Sequence, residues 1–458
     1  MKERHNINLK NYLNFFGSLI ELLVFCLLYY FVWKDNFIVI YSFNSLRLGK
    51  YVLVGLYFII LYCTLRFSDG LKFGQLKFTE VYVSQFVSIV ATNFITFLQL
   101  SLMYNKVVSV APLVLLSGIQ FFLALVFSYL FSVIYHTNLV PGDILMIYGT
   151  EAALRFKFKA DRKGKEFQIT KLMKSNLDPV FIESEILKHE AVLINDVKTE
   201  TRNDIIKFCF DHDIGVYVVP KISDIIIKSS NNTSLFDTPL YTPRIHGLSM
   251  QQLIVKRLFD LVISTVMLVL CSPLFVVVSA LIRMEDGGPV FYKQKRVTRN
   301  GKVFEIFKFR SMVVDAEKDG ISVPATEHDP RITRIGRFIR ACRIDELPQL
   351  FNIIGGSMSI VGPRPERIEH VEMYKKEIPE FVFREKMKGG LTGYAQVYGK
   401  YNTSAYDKIK MDLIYIENYS FLLDLKLIIL TIRTIFQRES TEGFYHSDEL
   451  KTNTNPGC

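Results

Sequence analysis

The sequence predicts a membrane protein of three parts: an α-helical N-terminal bundle, an α/β Rossmann-like middle domain, and a monotopic α+β C-terminal domain with a re-entrant membrane hairpin. Three observations carry that expectation. Hydrophobic residues make up 50% of the 458 and charged residues only 22%, which excludes a disordered chain and argues against a fully soluble one. Long, nearly uncharged runs crowd the first third of the chain. Short β-branched runs then alternate with helical patterns, and basic and aromatic residues become dense beyond them. The formal charge of +10 calls for an anionic partner, and with so apolar a composition membrane lipid fits better than nucleic acid.

Residues 1–140 read as four transmembrane helices over 12–33, 51–65, 81–104 and 107–134. A spanning helix needs roughly 20 residues. The second run is short, but Lys50 and Arg66 flank it and can snorkel to the interface. Glu21 is the one formal charge inside a run, which marks it for a helix–helix contact or a function. No small-residue cleavage site follows the first run, so it reads as an anchor rather than a signal peptide. The basic segment after the fourth run places both ends of the bundle in the cytoplasm.

Residues 141–247 change character. "DILMIYG", "DPVFI", "AVLINDV" and "IGVYVVP" read as strands, with "TRNDIIKFCF" as a helix between them, which predicts a parallel βαβ sheet. A dinucleotide site needs GxGxxG after the first strand. Only Gly149 stands there, so no nucleotide site is expected in this domain. "SSNNTS" and "TPLYTPR" read as a linker.

Residues 248–458 open on an apolar stretch whose segment 261–282 carries no charge. Ser272-Pro273 sits at its centre, where proline removes a backbone donor and breaks or bends a helix. Lys256 and Arg257 precede it and Arg283 follows, as if both ends face one leaflet. A hairpin over 257–283 that enters the membrane and returns meets both conditions.

The candidate chemistry follows the hairpin. Six cysteines show no CxxC and eight histidines no HExxH, so any metal must be held by carboxylates. In "VFEIFKFRSM" strand alternation puts Lys308 and Arg310 on one face, suited to phosphate. In "DPRITRIGRFIRACRIDELPQLFN" Asp329 is placed to cap a helix that Pro330 opens, and arginines at 331, 334, 337, 340 and 343 form a stripe. The outer arginines suit solvent or headgroups. Arg340 and Arg343, nearest the acids, are the candidates for substrate phosphate. Asp345 and Glu346 are adjacent, so on a helix they point about 100° apart and do not share a proton. They can divide the work, one as nucleophile or base and the other as a Mg²⁺ ligand. The turn Gly362-Pro363-Arg364-Pro365 presents Arg364 with little freedom to lose, as a phosphate clamp requires.

From about 255 to 436 the chain closely resembles the bacterial sugar transferase family, the polyprenyl-phosphate hexose-1-phosphate transferases. The matching pieces are "KRLFD", the apolar run with Ser272-Pro273, "GPVFYKQKRVTRNGKVFEIFKFRSM", "RIDELPQLFN", "GSMSIVGPRP", "GLTGYAQV" and "DLIYIENYSFLLDLKLI". With four spans and a middle domain ahead of them, the chain looks like the long members that begin capsule or exopolysaccharide repeat units. The resemblance implies transfer of a hexose 1-phosphate, glucose or galactose foremost, from a UDP-sugar to undecaprenyl phosphate, with release of UMP. It implies Asp345 as nucleophile forming a covalent phosphosugar, Glu346 and Asp345 at Mg²⁺, and Gln396 among the substrate contacts. It also implies a multi-pass protein of the bacterial inner membrane whose catalytic domain faces the cytoplasm; a homodimer is compatible with it. One departure stands out: many relatives read Lys-Pro-Gly where this chain has Lys388-Gly389-Gly390. Two rival readings are a non-catalytic scaffold of polysaccharide assembly and a metal-dependent glycosyltransferase using Asp211-His212-Asp213. The latter triplet falls after a helix, not at the end of a strand, and reads as a surface turn.

Overall fold

A computed structural model describes residues 2–36, 49–73, 76, 78–138, 143–161, 168–243, 247–314, 316, 329–399 and 403–435. The domain boundary expected at 140–141 lies outside them. The chain forms two compact units, Met1–Lys221 and Ile222–Cys458.

The first unit begins with α1 (Lys2–Asn36), α2 (Gly49–Phe67), α3 (Phe78–Met103) and α4 (Ala111–Asn138), each packed on its neighbours in a ring. Three carry apolar segments long enough to cross a membrane, and α2 supplies a shorter one. Their interior is more polar than the runs suggest. Gln85 donates to Glu21 at 3.1 Å and to the Gly70 carbonyl at 3.0 Å, and Ser128 donates to Gln85 at 2.8 Å. Tyr57, Asn93 and Gln120 form a second hydrogen-bonded cluster. Buried polar groups need such partners, and across lipid-facing helices they also select which faces meet.

The same unit continues with β1 (Ile144–Tyr148), α5 (Arg155–Asp161), β2 (Ile169–Lys174), α6 (Pro179–Ile186), β3 (Ala191–Asn195), α7 (Thr199–Asp211) and β4 (Gly215–Val218). The sheet is parallel in the order β2-β1-β3-β4. One expected strand is wrong: "DPVFI" opens α6, because Asp178 caps it by accepting from Val180 N and Pro179 sits in its first turn. The strand in its place is β2. At Gly149 a Cβ would lie 2.0 Å from the Asp196 carbonyl, so the turn after β1 is closed against β3's exit.

The second unit contains α8 (Ile222–Lys228), β5 (Asn231–Leu235), β6 (Thr238–Thr242), α9 (Met250–Asp286), β7 (Phe291–Val297), β8 (Val303–Phe309), α10 (Arg334–Ala341), α11 (Gln349–Ile354), β9 (Ser359–Val361), α12 (Ile368–Glu377), β10 (Gly390–Thr392), α13 (Tyr394–Tyr398), α14 (Ala405–Glu417) and α15 (Phe421–Ile435). The expected linker is instead an antiparallel hairpin, β5–β6. Antiparallel β7–β8 and the short parallel pair β9–β10 lie around a core of Leu350, Ile353, Met358, Val361, Leu427 and Leu430.

The break expected at Ser272-Pro273 is absent: α9 is one helix of 37 residues that runs through Pro273, and it too is long and apolar enough to cross a membrane. Proline has no N–H for the carbonyl four residues back, Val269. The Ser272 hydroxyl donates to that carbonyl at 2.8 Å, which is how the pair is accommodated without ending the helix. The N-terminal part of α9 turns a polar row inward: Lys256 pairs with Asp424 at 2.6 Å, and Asp260 accepts from Ser359 and the Ile360 amide. Farther on, Val278 and Ile282 pack with Phe309 and Ile339. Between these anchors the apolar side chains from Val266 to Leu274 are exposed or half-exposed. Water would not tolerate such a surface; lipid does.

The arginine helix is shorter than the sequence suggested. Thr333, not Asp329, caps α10, its hydroxyl accepting from Gly336 N at 2.9 Å. Asp329 is engaged by the Arg331 amide and guanidinium. Arg331 and Arg343 therefore lie outside α10.

Candidate active site

The site is assembled where α10 stops. Arg343 takes a left-handed backbone conformation, with φ of 57°, uncommon for a residue with a Cβ. That bend sends the chain into a single 3-10 turn, Ile344–Glu346. Successive side chains on such a turn diverge by roughly 120°. Asp345 and Glu346 consequently meet different surroundings.

Glu346 is buried and anchored. Its Oε1 accepts from Lys308 Nζ at 2.9 Å and from Arg364 at 2.7 Å. Burial alone would push its carboxyl up, but Arg364 and Lys308 outweigh it and hold the group well below the usual carboxylate range. Arg364 is held up in turn, chiefly by Glu346. Asp345 makes no hydrogen bond among the described residues. Burial pushes its carboxyl above the ordinary value, against the pull of Lys308, with Glu346 adding to the rise. Two adjacent acids thus have opposite shifts.

A buried scaffold fixes the Arg364 loop. Arg384 donates to the Arg364 carbonyl at 2.8 Å and pairs with Asp412 at 2.9 Å. Arg296 donates to the Pro365 carbonyl at 3.3 Å; burial and the nearby Arg364 push its guanidinium down to about 10. Behind Lys308, Asn352 accepts from the Phe307 amide and donates to the Glu305 carbonyl, tying α11 to β8.

Of the residues singled out from sequence, Lys308 and Arg364 meet Glu346 directly. Arg340 and Arg343 are near enough to favour the charged form of Asp345. Arg310 is turned elsewhere: β8 ends at Phe309, strand alternation stops, and the guanidinium pairs with Asp286 at the end of α9. Gln396 donates to the Leu391 carbonyl at 3.0 Å, inside its own turn. Ser272 and Pro273 lie at the exposed middle of α9. Asp211-His212-Asp213 forms the end of α7 and a turn with Asp213 at positive φ. Arg384 carried no sequence signal, and Arg296, Asn352 and Asp412, though inside the matching motifs, were not marked for these roles, because each acts on a partner distant along the chain.

The family model for bacterial sugar transferases matches residues 251–438. An uncharacterized sugar transferase of Bacillus subtilis is 38% identical over 194 residues, 42% of this chain and 93% of that protein. The chain belongs to the bacterial sugar transferase family. A second B. subtilis member, a putative undecaprenyl-phosphate N-acetylgalactosaminyl 1-phosphate transferase, is 50% identical over 132 residues, 29% of this chain and 73% of that protein. A UDP-glucose:undecaprenyl-phosphate glucose-1-phosphate transferase of Klebsiella pneumoniae is 34% identical over 269 residues, 58% of this chain and 56% of that one. The chain spans about half the length of the longer curated relatives it matches. In this family member all the groups that converge on Asp345 and Glu346 lie within the matched residues.

Among the described residues no cluster of three or more His, Cys, Asp or Glu could hold a metal. The two acids do offer open oxygens. Glu346 uses only Oε1 for its two cations, and Asp345 is unbonded. One or two carboxylates plus substrate phosphates is the ligand set that Mg²⁺ favours.

Proposed function

We propose that this protein transfers a hexose 1-phosphate from a UDP-sugar to undecaprenyl phosphate, releasing UMP, to begin a capsular or exopolysaccharide repeat unit. The supporting observation is the pairing of an unbonded, burial-raised Asp345 with a Glu346 clamped by Lys308 and Arg364. The relatives' names supply the substrate classes.

In this reading an Asp345 oxygen attacks the β-phosphorus of the donor. The bond to the oxygen bridging the two phosphates breaks, and UMP leaves with the electron pair. An oxygen of the acceptor phosphate then attacks the phosphosugar phosphorus, and Asp345 is released as carboxylate. Splitting the transfer lets one site serve a soluble donor and a membrane acceptor in turn. Lys308 and Arg364, held in place by Glu346, offset charge that gathers on the phosphoryl oxygens. Glu346 and Asp345 would hold Mg²⁺, which supplies further neutralisation of the diphosphate.

The proposed setting is the cytoplasmic face of the inner membrane, with α9 re-entering rather than spanning. Both ends of α9 are anchored in the same unit, which supports that reading. Cysteines placed before Lys256 and after Arg283 should both be labelled from the cytoplasmic side; periplasmic labelling of the second would refute re-entry. The activity is tested with purified protein, undecaprenyl phosphate, Mg²⁺ and a panel of UDP-sugars. UMP should appear. UDP instead would indicate a conventional glycosyltransferase, and no nucleotide product would indicate a scaffold.

A further inference from the structure

A recess of about 370 Å³ lies against the first turns of α9, and none of Asp345, Glu346, Lys308 or Arg364 lines it. Its walls carry five cationic side chains and one carboxylate, Asp260. Three of the five cations are committed: Lys256 to Asp424, Lys386 to Glu417 at 3.7 Å, and Arg257 to the carbonyls of Ile353 and Ile354 at 2.6 and 2.8 Å. Arg299 and Lys388 have neither hydrogen bond nor ion pair among the described residues, and Arg299 Nε is buried without a partner. Leaving a buried donor unmade is costly, and two unpaired cations facing one recess add mutual repulsion.

The two cations come from different loops, and a hydrogen bond sets their spacing. The Gly389 amide donates to the Thr298 hydroxyl at 3.0 Å, so each cation is the chain neighbour of one end of that bond. A proline at 389 has no N–H and could not make it. The Lys388-Gly389-Gly390 sequence therefore fixes a geometry that Lys-Pro-Gly would not. Burial, with Arg257 next, holds the Lys388 ammonium below its usual range, so a bound anion would relieve it.

Position along α9 selects the kind of anion. Leu248 and Leu253 line the recess, and beside it Ile254, Leu258 and Val262 form a row exposed by 58%, 58% and 60%. That row leads directly into the lipid-facing middle of the helix. A phosphate in the recess would thus have a track for hydrocarbon chains next to it.

We propose that this recess is a second anion site, distinct from the acid pair, that holds the phosphate of a membrane lipid where α9 enters the bilayer. Its two free donors are Arg299 and Lys388, which make charge-assisted hydrogen bonds to the phosphate oxygens.

The test uses the full-length protein and reads binding without turnover, so an inactive enzyme would not bear on it. Lipid retention is measured by native mass spectrometry after titration with phosphatidylglycerol, undecaprenyl phosphate or inorganic phosphate. Arg299→Gln and Lys388→Gln should each weaken lipid binding about tenfold, and together about a hundredfold, if each charge-assisted bond is worth about 1.4 kcal/mol. Lys207→Gln, which removes an exposed charge from the other unit, should leave binding unchanged. Selective loss of phosphatidylglycerol would identify a structural lipid, and selective loss of undecaprenyl phosphate an acceptor waiting site. Unchanged retention of both lipids in the double variant, with its melting transition preserved, overturns the proposal. Loss confined to inorganic phosphate overturns it too.

Discussion

Both units of this protein bring charged and polar groups into buried, membrane-associated surroundings, and they use them differently. In the first unit Gln85 donates to Glu21 Oε2 and accepts from Ser128, linking α1, α3 and α4, while Glu21 Oε1 is buried without a partner and no cation stands beside it among the described residues. In the second, Glu346 is satisfied by Lys308 and Arg364 while its neighbour Asp345 is not. A carboxyl with only neutral neighbours serves to position helices, whereas carboxylates ringed by Lys308, Arg340, Arg343 and Arg364 are placed for chemistry on phosphate. On the proposed reading, packing falls to the first unit and chemistry to the second.

The sharpest way to break that contrast is at Asp345. Asp345→Asn removes the attacking carboxylate with little change of shape, so UMP release should fall at least about a thousandfold and no covalent phosphosugar should be trapped. Full turnover in that variant would return Asp345 to the same class as Glu21.

Glu346→Gln comes next, with a loss of about a hundredfold, because the Lys308–Arg364 clamp loses its charged partner. Its pH profile is more diagnostic than its rate. Attack needs ionised Asp345, whose carboxyl is raised, so in the native enzyme the rate should fall as pH drops through a value above that of an ordinary aspartate. Removing the Glu346 charge eliminates a cause of that rise and frees two cations. The acid limb should therefore move to lower pH in Glu346→Gln. A limb that stays in place would mean another group controls ionisation. The Glu346 shift runs the other way, and its contribution to stability is present above the unfolded carboxyl value and lost as pH falls through the depressed folded one.

How far the sequence foretold this division depends on the distance over which each feature is encoded. Asp345, Glu346 and Arg364 were legible because the motifs around them are local. Arg384 was not, nor was its pairing with Asp412 at the head of the last motif, since Arg384 holds the Arg364 carbonyl and Asp412 holds Arg384, relations visible only in three dimensions. "DPVFI" misled because a short apolar run, Val180–Ile182, fits either element, and the Asp178 cap with Pro179 decided for helix. The β5–β6 hairpin was hidden for a different reason. Its turn places Phe236 and Asp237 at φ of 49° and 65°, and Phe is not a residue that advertises a left-handed turn. The polar bundle interior was also unread, because serines, threonines and glutamines on separate helices do not reveal their pairing.

A third prediction concerns where the catalytic unit begins. Ile222 and Ile225 of α8 are buried with Phe381, Ile409 and Leu413, so α8 belongs to the core of the second unit. A protein starting at Ile222 should release UMP and melt cooperatively. One starting at Leu248 should lose about 3–6 kcal/mol of stability, from two buried isoleucines at about 1.5–3 kcal/mol each. Equal melting of the two would show that α8 is dispensable. Failure of a folded Ile222 protein to turn over would show that the first unit contributes to the site.

The smallest effect on catalysis is expected at Gln85. Gln85→Ala leaves Glu21 without its hydrogen bond and also strips Ser128 and the Gly70 carbonyl of a partner. An unsatisfied buried group costs about 1–3 kcal/mol, so the bundle should loosen by that amount while the acid pair is untouched. Thermal unfolding in detergent or nanodiscs should show the loss as an earlier transition of the first unit, with UMP release per folded molecule unchanged. Glu21→Gln supplies the complementary check, since an amide can still accept from Gln85 and should recover part of the stability that an alanine at 21 would forfeit. If instead either bundle variant lowers turnover as far as Glu346→Gln does, the polar interior of the first unit is part of the reaction, and packing is not its only role.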